Sequence, residues 1–386
     1  MGCHGTRTGG LREGAGTRRA RRAYRLVTGH RRDTTVTTGC CPALSRPLQS
    51  DRMTSAGNGA SPTIYDVAQA AGVAPSTVSR TFSRPGRVNA QTAERIRQVA
   101  SELGYRTNPL ARGLPTGRTS LLAIVVADVT NPFFFEIIRG AEKTARDAGY
   151  TLLMVDAHES DEAERRALDR TLPLVEGLIL ATSRLSDSSI RVAAKQRPTV
   201  VMNRHMTDVP SVLTDNAQGM RSAVEHLAGL GHTSLAYVAG PEASWADGMR
   251  WRAFREATRE TDVQARRIGP FAPTLAGGLS AAKSLVKHPA TAAVAYNDLI
   301  AIGAMRGLRR LGVEVPRDLS IVGFDNIFGS DFCTPPLTTV AAPLRHFGSF
   351  AVQRLLAQLR TSPAPAAGPT LLPAKLVERG STGRPA

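Results

Sequence analysis

From Thr119 onward, short apolar runs alternate with stretches long enough to be helices, and this alternation governs what the chain can fold into. SLLAIVVAD, TLLMVDA, GLILA and TVVMN read as buried strands, because a strand covered on both faces has no polar side. NPFFFEIIRGAEKTARDAGY, between the first two, predicts a helix that starts at Asn131 and Pro132 and stops at Gly149. A second series begins after VLTDN: helix 216–230, strand SLAYVAG, helices 247–260 and 275–287, strand AAVAYN, helix 298–310 and strand LSIVGFD. The chain then returns through LTTVAAP to a helix near Leu344–Leu359. Strands alternating with helices predict an α/β fold with parallel sheets. Two such series with a late return predict two lobes, several crossovers and a cleft between them.

Ligands of open α/β sheets bind beyond the carboxyl ends of the strands, so polar residues there are the first candidates for a site. The strand ends carry Asp128, Asn203, Asp215, Asn297, Asp298 and Asp325, and Arg250 lies early in the helix after SLAYVAGPEAS. Amides, carboxylates and a fork-shaped cation suit a polyol or sugar, because each hydroxyl both donates and accepts. Asp and Asn at strand ends also cap the following helix, and position alone weighs the two readings equally.

Ahead of the body stands TIYDVAQAAGVAPSTVSRTF, Thr63 to Phe82, which reads as two short helices joined by a tight turn. Thr63 and Asp66 form a helix start signal, and Ile64, Val67, Ala68 and Ala71 recur as one apolar stripe. Gly72 supplies the left-handed turn, Val73 plugs the angle, and Pro75 suits a first helical position. Val78 and Phe82 point inward, which leaves Ser76, Thr77, Ser79 and Arg80 on or near the outer face. Small hydroxyls beside an arginine fit a major groove, where Arg takes guanine O6 and N7 bidentately. The plainer alternative is an αα-hairpin in a bundle with Arg80 solvated. A third helix, capped by Asn89, carries Ile96, Val99, Ala100 and Leu103 on one face and ends at Gly104.

Charge favours the first reading. The formal charge is +17, of which residues 1–60, with eleven arginines and three acids, hold +8. Residues 61–118 hold eight arginines against three acids, +5, so the remaining residues carry only +4. A polyanion-binding head on a nearly balanced body accounts for that division.

Residues 1–60 are rich in Gly, Thr and Arg without periodicity, and disorder is the expectation. No apolar region follows RRARRAYRLV, which argues against an export signal, and MTSAGNGASP makes Met53 the expected start of translation. Cys3, Cys40, Cys41 and Cys333 show neither a C-x-x-C pair nor metal-ligand spacing with His, so a reduced, cytoplasmic protein without metal or cofactor is expected. The longest apolar run, near Leu121–Ala127, is far too short to span a bilayer. Between head and body, Asn108, Pro109 and Pro115 bound at most a two-turn helix, LARGL. Such a piece is too short to persist alone in water, and a plain linker is the alternative.

IYDVAQAAGVAPSTVSR resembles the headpiece of the lactose repressor (LacI/GalR) family of bacterial transcription regulators. NPFF, HLAGLGH, YVAGP, NDLIAIGAMRGL, LGVEVPRDLSIVGFD and PPLTTV look like that family's effector-domain signatures, and the resemblance covers about Pro62 to Thr382. It implies four regions: an extension or misannotated start over 1–60, a helix-turn-helix domain over 61–107, a hinge over 108–118, and a two-lobed, periplasmic-binding-protein-like effector and dimerisation domain over 119–382. It implies DNA contacts from Thr63, Tyr65, Pro75, Ser76, Thr77, Ser79 and Arg80. In the hinge, it implies a minor-groove wedge at Leu114, close approach at Ala111, and phosphate contacts near Asn108 and Arg112. It places Asn131, Phe133, Phe134, Asn203, Arg250, Asn297 and Asp325 at the effector. Three positions depart from the family pattern: Asn203 stands where an acid is frequent, Gly248 replaces a common arginine, and Ala74 replaces the usual capping serine.

The reading that follows is a dimeric transcription repressor on a near-palindromic operator, controlled by a sugar-like effector. Its rivals are a solute-binding protein or a carbohydrate-acting enzyme with the same body. The first has no use for the head. For the second, the chain shows no G-x-S-x-G, Walker A loop, H-E-x-x-H or strand-borne G-x-G-x-x-G.

Overall fold

The computed structural model describes residues 61–84, 86–106, 119–360 and 368–386. The extension, the proposed start at Met53, three of the four cysteines and the hinge with Asn108, Ala111, Arg112 and Leu114 lie outside them.

The head is three helices, α1 (Ile64–Ala71), α2 (Pro75–Ser83) and α3 (Ala90–Glu102). Asp66 Oδ2 accepts from both the Thr63 amide and its hydroxyl at 2.7 Å, which fixes the start of α1. Gly72 closes α1 at φ 64°, a conformation that a side chain resists. Pro75 opens α2, and Ala74 before it offers no side-chain cap. Val67, Ala68, Ala71, Val78, Ile96 and Ala100 form a small core, against which Ile64, Val73, Phe82, Val99 and Tyr105 pack. Leu103 corrects the expected stripe of α3: it is exposed. α3 ends one residue before it, at Glu102, and Leu103 occupies the C-cap ahead of Gly104. Thr81 was not expected inside; its hydroxyl donates to the Thr77 carbonyl at 2.9 Å, so burial leaves no unmet donor.

The body is two six-stranded sheets flanked by helices. Its strands are β1 (Leu121–Val126), β2 (Thr151–Asp156), β3 (Gly177–Ala181), β4 (Thr199–Met202), β5 (Ser211–Thr214), β6 (Ser234–Val238), β7 (Gln264–Ile268), β8 (Ala292–Ala295), β9 (Ser320–Asp325), β10 (Thr338–Ala341), β11 (Thr370–Leu372) and β12 (Lys375–Val377). The helices are α4 (Phe133–Asp147), α5 (Asp161–Thr171), α6 (Asp187–Gln196), α7 (Asn216–Gly229), α8 (Trp245–Glu260), α9 (Leu275–Leu285), α10 (Asp298–Arg310) and α11 (Leu344–Arg360).

The first sheet runs β11-β5-β4-β3-β1-β2, all parallel. The second runs β12-β10-β9-β8-β6-β7, parallel except for β12, which lies antiparallel to β10. β1, β3, β4, β8 and β9 are buried almost throughout, as continuous apolar runs require.

The chain passes between sheets three times: after β5, after β10, and between β11 and β12. LLPAKLVERG, expected as one last strand, is therefore cut by Pro373 into two short strands, one for each sheet. β7 was not expected, because QARRI is exposed over four of its five residues and has no apolar signal. The late return brings α11 onto α4. A Cβ on Gly140 would stand 1.9 Å from the Arg345 carbonyl oxygen, and one on Gly348 would stand 1.9 Å from that of Ile137, so the two backbones meet where only glycine fits.

Candidate DNA-binding face and ligand cavity

On the head, burial of Val78 and Thr81 turns the opposite side of α2 outward. Ser76, Ser79 and Arg80 are exposed, and Pro75 and Thr77 are half-buried. Thr63 is exposed beside them in sequence, and the Tyr65 ring is 71% exposed, although rings of its size are normally at least partly buried. Arg80, Arg84 and Arg87 form no ion pair among the described residues, so this face presents uncompensated positive charge and hydroxyl groups.

In the body, one cavity lies at the carboxyl ends of the strands, with about 340 Å³ of atom-free space, counting the part open to solvent. All seven residues expected at an effector line it: Asn131, Phe133, Phe134, Asn203, Arg250, Asn297 and Asp325. Phe133 and Phe134 meet edge to face, with centroids 5.0 Å apart, and form an apolar wall at the start of α4. The capping reading also holds for two of the seven. Asn131 Oδ1 accepts from the Phe133 amide at 3.0 Å, and Asn297 Oδ1 accepts from the Ile300 amide at 2.9 Å.

Arg250 is 2% exposed and fully engaged. Nε donates to Asn216 Oδ1 and Nη2 to Asp325 Oδ1, each at 3.0 Å, while Nη1 donates to the Tyr296 carbonyl. Its guanidinium carbon lies 3.6 Å from the centre of the Phe324 ring, where the cation meets the ring's negative face. Burial pushes the Asp325 carboxyl up to about 7; Arg250 pulls it down, and the nearby Asp298 charge adds to the rise. Asn203 follows β4 at φ 56°, and its Oδ1 is buried without a hydrogen-bond partner. A buried amide oxygen left unmet costs about 1–3 kcal/mol, so a ligand hydroxyl there would be favoured.

The other strand-end acids do not reach the cavity. Asp215 caps α7, Asp128 holds the Thr130 amide and hydroxyl, and Asp298 sits wholly inside, accepting from Ile327, Ser330 and Thr339. The reading also missed Glu159, Thr182, Arg184 and Tyr296, which line the cavity too. Tyr296 precedes Asn297 in AAVAYN and Thr182 follows GLILA, so looking one residue to either side of each strand end would have found them. Gly248 is exposed, with nothing within 4 Å of where its Cβ would stand.

Residues 63–108 match the family described as bacterial regulatory proteins, lacI family, and residues 224–382 match the periplasmic binding protein-like domain. The HTH-type transcriptional repressor CytR of Escherichia coli (strain K12) is 35% identical over 330 residues, 83% of this chain and 96% of that protein. The HTH-type transcriptional regulator DegA of Bacillus subtilis (strain 168) is 33% identical over 330 residues, 83% of this chain and 98% of its own. Among solved structures, a lac repressor dimer bound to operator and the anti-inducer ONPF aligns with a TM-score of 0.74 at 28% identity, covering 83% of this chain and 99% of that one. A LacI family transcriptional regulator from Enterococcus faecium with bound ribose aligns at 0.61 and 30% identity, covering 68% of this chain and 98% of that one.

Proposed function

The chain belongs to the lacI family of bacterial regulatory proteins, and on that premise we propose that it is a transcription repressor whose hold on its operator is set by a sugar-like ligand between the lobes. The observation that carries the reading is the outer face of α2. Ser76, Ser79 and Arg80 are free to meet bases there while Val78 anchors the helix from behind. A single such helix reads one half-site, so a two-fold dimer on a near-palindrome follows from geometry. Exposed apolar side chains give a second copy something to cover: Leu153 and Met154 on the edge strand β2, and Phe328 with Phe332, whose rings meet at 5.1 Å.

In this reading, residues 61–107 read the major groove, the segment 108–118 couples head to body through Asn108, Ala111 and Leu114, and residues 119–382 bind the ligand and pair the subunits. The ligand is held without turnover. Both lining carboxylates face guanidinium groups, Glu159 toward Arg184 and Asp325 toward Arg250, and the relatives that the chain matches are named as transcriptional regulators. Action on an operator places the protein in the cytoplasm. No described helix is long and apolar enough to cross a membrane.

Selection of bound duplexes from a random pool tests the reading. Enrichment of a sequence with two inverted half-sites supports it, and no enrichment over random competitor rejects it. For the cavity, a thermal-shift screen of sugars, polyols and nucleosides is expected to give at least one compound that raises Tm.

A further inference from the structure

Arg184 and Arg250 are the cations that line the cavity, and each meets a carboxylate that lines it too. Arg184 follows β3, and its Nε and Nη2 both lie 2.7 Å from Glu159 Oε2. Arg250 Nη2 lies 3.0 Å from Asp325 Oδ1. The two guanidinium side chains are 5% and 3% exposed, so both pairs form away from bulk water, where an unmatched charge is costly. Two cations against two carboxylates leave the lining without net charge. Helix starts are the other holders of an anion, and three helices begin at or beside lining residues. Each has a first-turn amide already taken by the protein's own side chain. Asn131 Oδ1 accepts from Phe133 in α4, Ser244 Oγ from Asp247 in α8, and Asn297 Oδ1 from Ile300 in α10. Asn203 Oδ1, buried and unmet, disfavours an anionic oxygen and calls for a donor.

We propose that Glu159 sets the charge selectivity of the cavity: paired with Arg184, it confines the ligand to an uncharged polyhydroxyl molecule that donates a hydroxyl to Asn203, and it bars the phosphate ester of the same molecule. The inference rests on the effector-site reading and deepens it, because it states which sugar derivatives the site refuses. A phosphate ester brings its negative charge to a lining in which each cation already has its own carboxylate, so entry leaves that charge desolvated and unmatched. Glutamine in place of Glu159 keeps an oxygen for Arg184 and removes the charge, which turns Arg184 into the uncompensated cation that a phosphate requires.

The test titrates matched pairs into the full chain by calorimetry, at a pH above the value of about 7 to which burial raises the Asp325 carboxyl, so that both ion pairs are charged. The probes are ribose, xylose, glucose, cellobiose and adenosine, each beside its own phosphate ester. In wild type, at least one neutral member is expected to bind and its ester to bind at least about tenfold more weakly. In Glu159→Gln that ratio is expected to close by about tenfold or to invert. Asn203→Gly, which suits the backbone at φ 56°, is expected to weaken the neutral member by about fivefold or more. Asp147→Asn serves as control, since Asp147 ends α4 in an exposed ion pair with Lys143 at 2.6 Å, and it is expected to leave the ratio as in wild type. An ester that binds wild type as tightly as its parent overturns the proposal. A ratio that Glu159→Gln leaves unmoved, or that Asp147→Asn moves equally, does the same, and so does unchanged binding in Asn203→Gly. The wild-type ratio and Asn203→Gly decide the matter even if Glu159→Gln fails to fold. Silence of both members in every pair removes the effector-site reading itself, and the inference with it, whereas an ester that outbinds its parent removes the inference alone.

Discussion

Arg80 is the side chain to which the proposed reading assigns base recognition, and truncating it isolates that role. Arg80→Ala should cost about 1–3 kcal/mol of operator discrimination, read by anisotropy on the selected site against single-base variants. Melting should be unaffected, because Arg80 is exposed and contributes nothing to the head's core. Inside the second lobe, Asp298 makes a different prediction. Burial raises its carboxyl to about 6 from an ordinary 3.8, against the pull of bonds from Ser330, Thr339 and the Ile327 amide. The folded protein therefore holds a proton there that the unfolded chain has lost, and stability falls as pH rises from about 4 to 6. Asp298→Asn should flatten that part of the stability profile, an effect on the order of 2–3 kcal/mol at most, measured by urea titration at several pH values. At Gly248, where a methyl group meets nothing within 4 Å, Gly248→Ala should raise stability by roughly 0.5–1 kcal/mol.

At the scale of elements, α2 is a helix that starts without help. Ala74 offers no side-chain oxygen to the free amides, so Ala74→Ser should stabilise the head by about 1 kcal/mol, visible as a raised Tm of its transition. Which elements could be read from the sequence follows from what each one buries. β1, β3, β4, β8 and β9 are buried on both faces and announce themselves as apolar runs, whereas β7, exposed over most of its length, carries no such mark. β11 and β12 carry no separate signal, because three-residue strands have no period, and only Pro373 marks the break between them. The cavity was legible where a side chain ends a strand, as with Asn203, Asn297 and Asp325. It was not legible where the lining residue comes from a loop, as with Glu159 and Arg184, since sheet geometry says nothing about how a loop turns back. The short segment joining head and body belongs at this scale too. Leu114→Ala should weaken operator binding far more than it lowers Tm if the segment wedges into the minor groove.

For the whole molecule, three crossings join the two lobes, and in the proposed reading a dimer of heads gives the angle between them something to control. The glycine-tight seam between α4 and α11 sets backbone against backbone, and moves only as a block. The account thus predicts one rigid first-lobe unit that follows the ligand. Its central claim is that ligand and operator are coupled through this motion, and coupling of binding free energies is reciprocal. The most direct test titrates a compound that raises Tm into free and operator-bound protein. The account predicts affinities that differ by about 5–150-fold, by the same factor that the compound changes operator affinity. Equal affinity in the two titrations contradicts it.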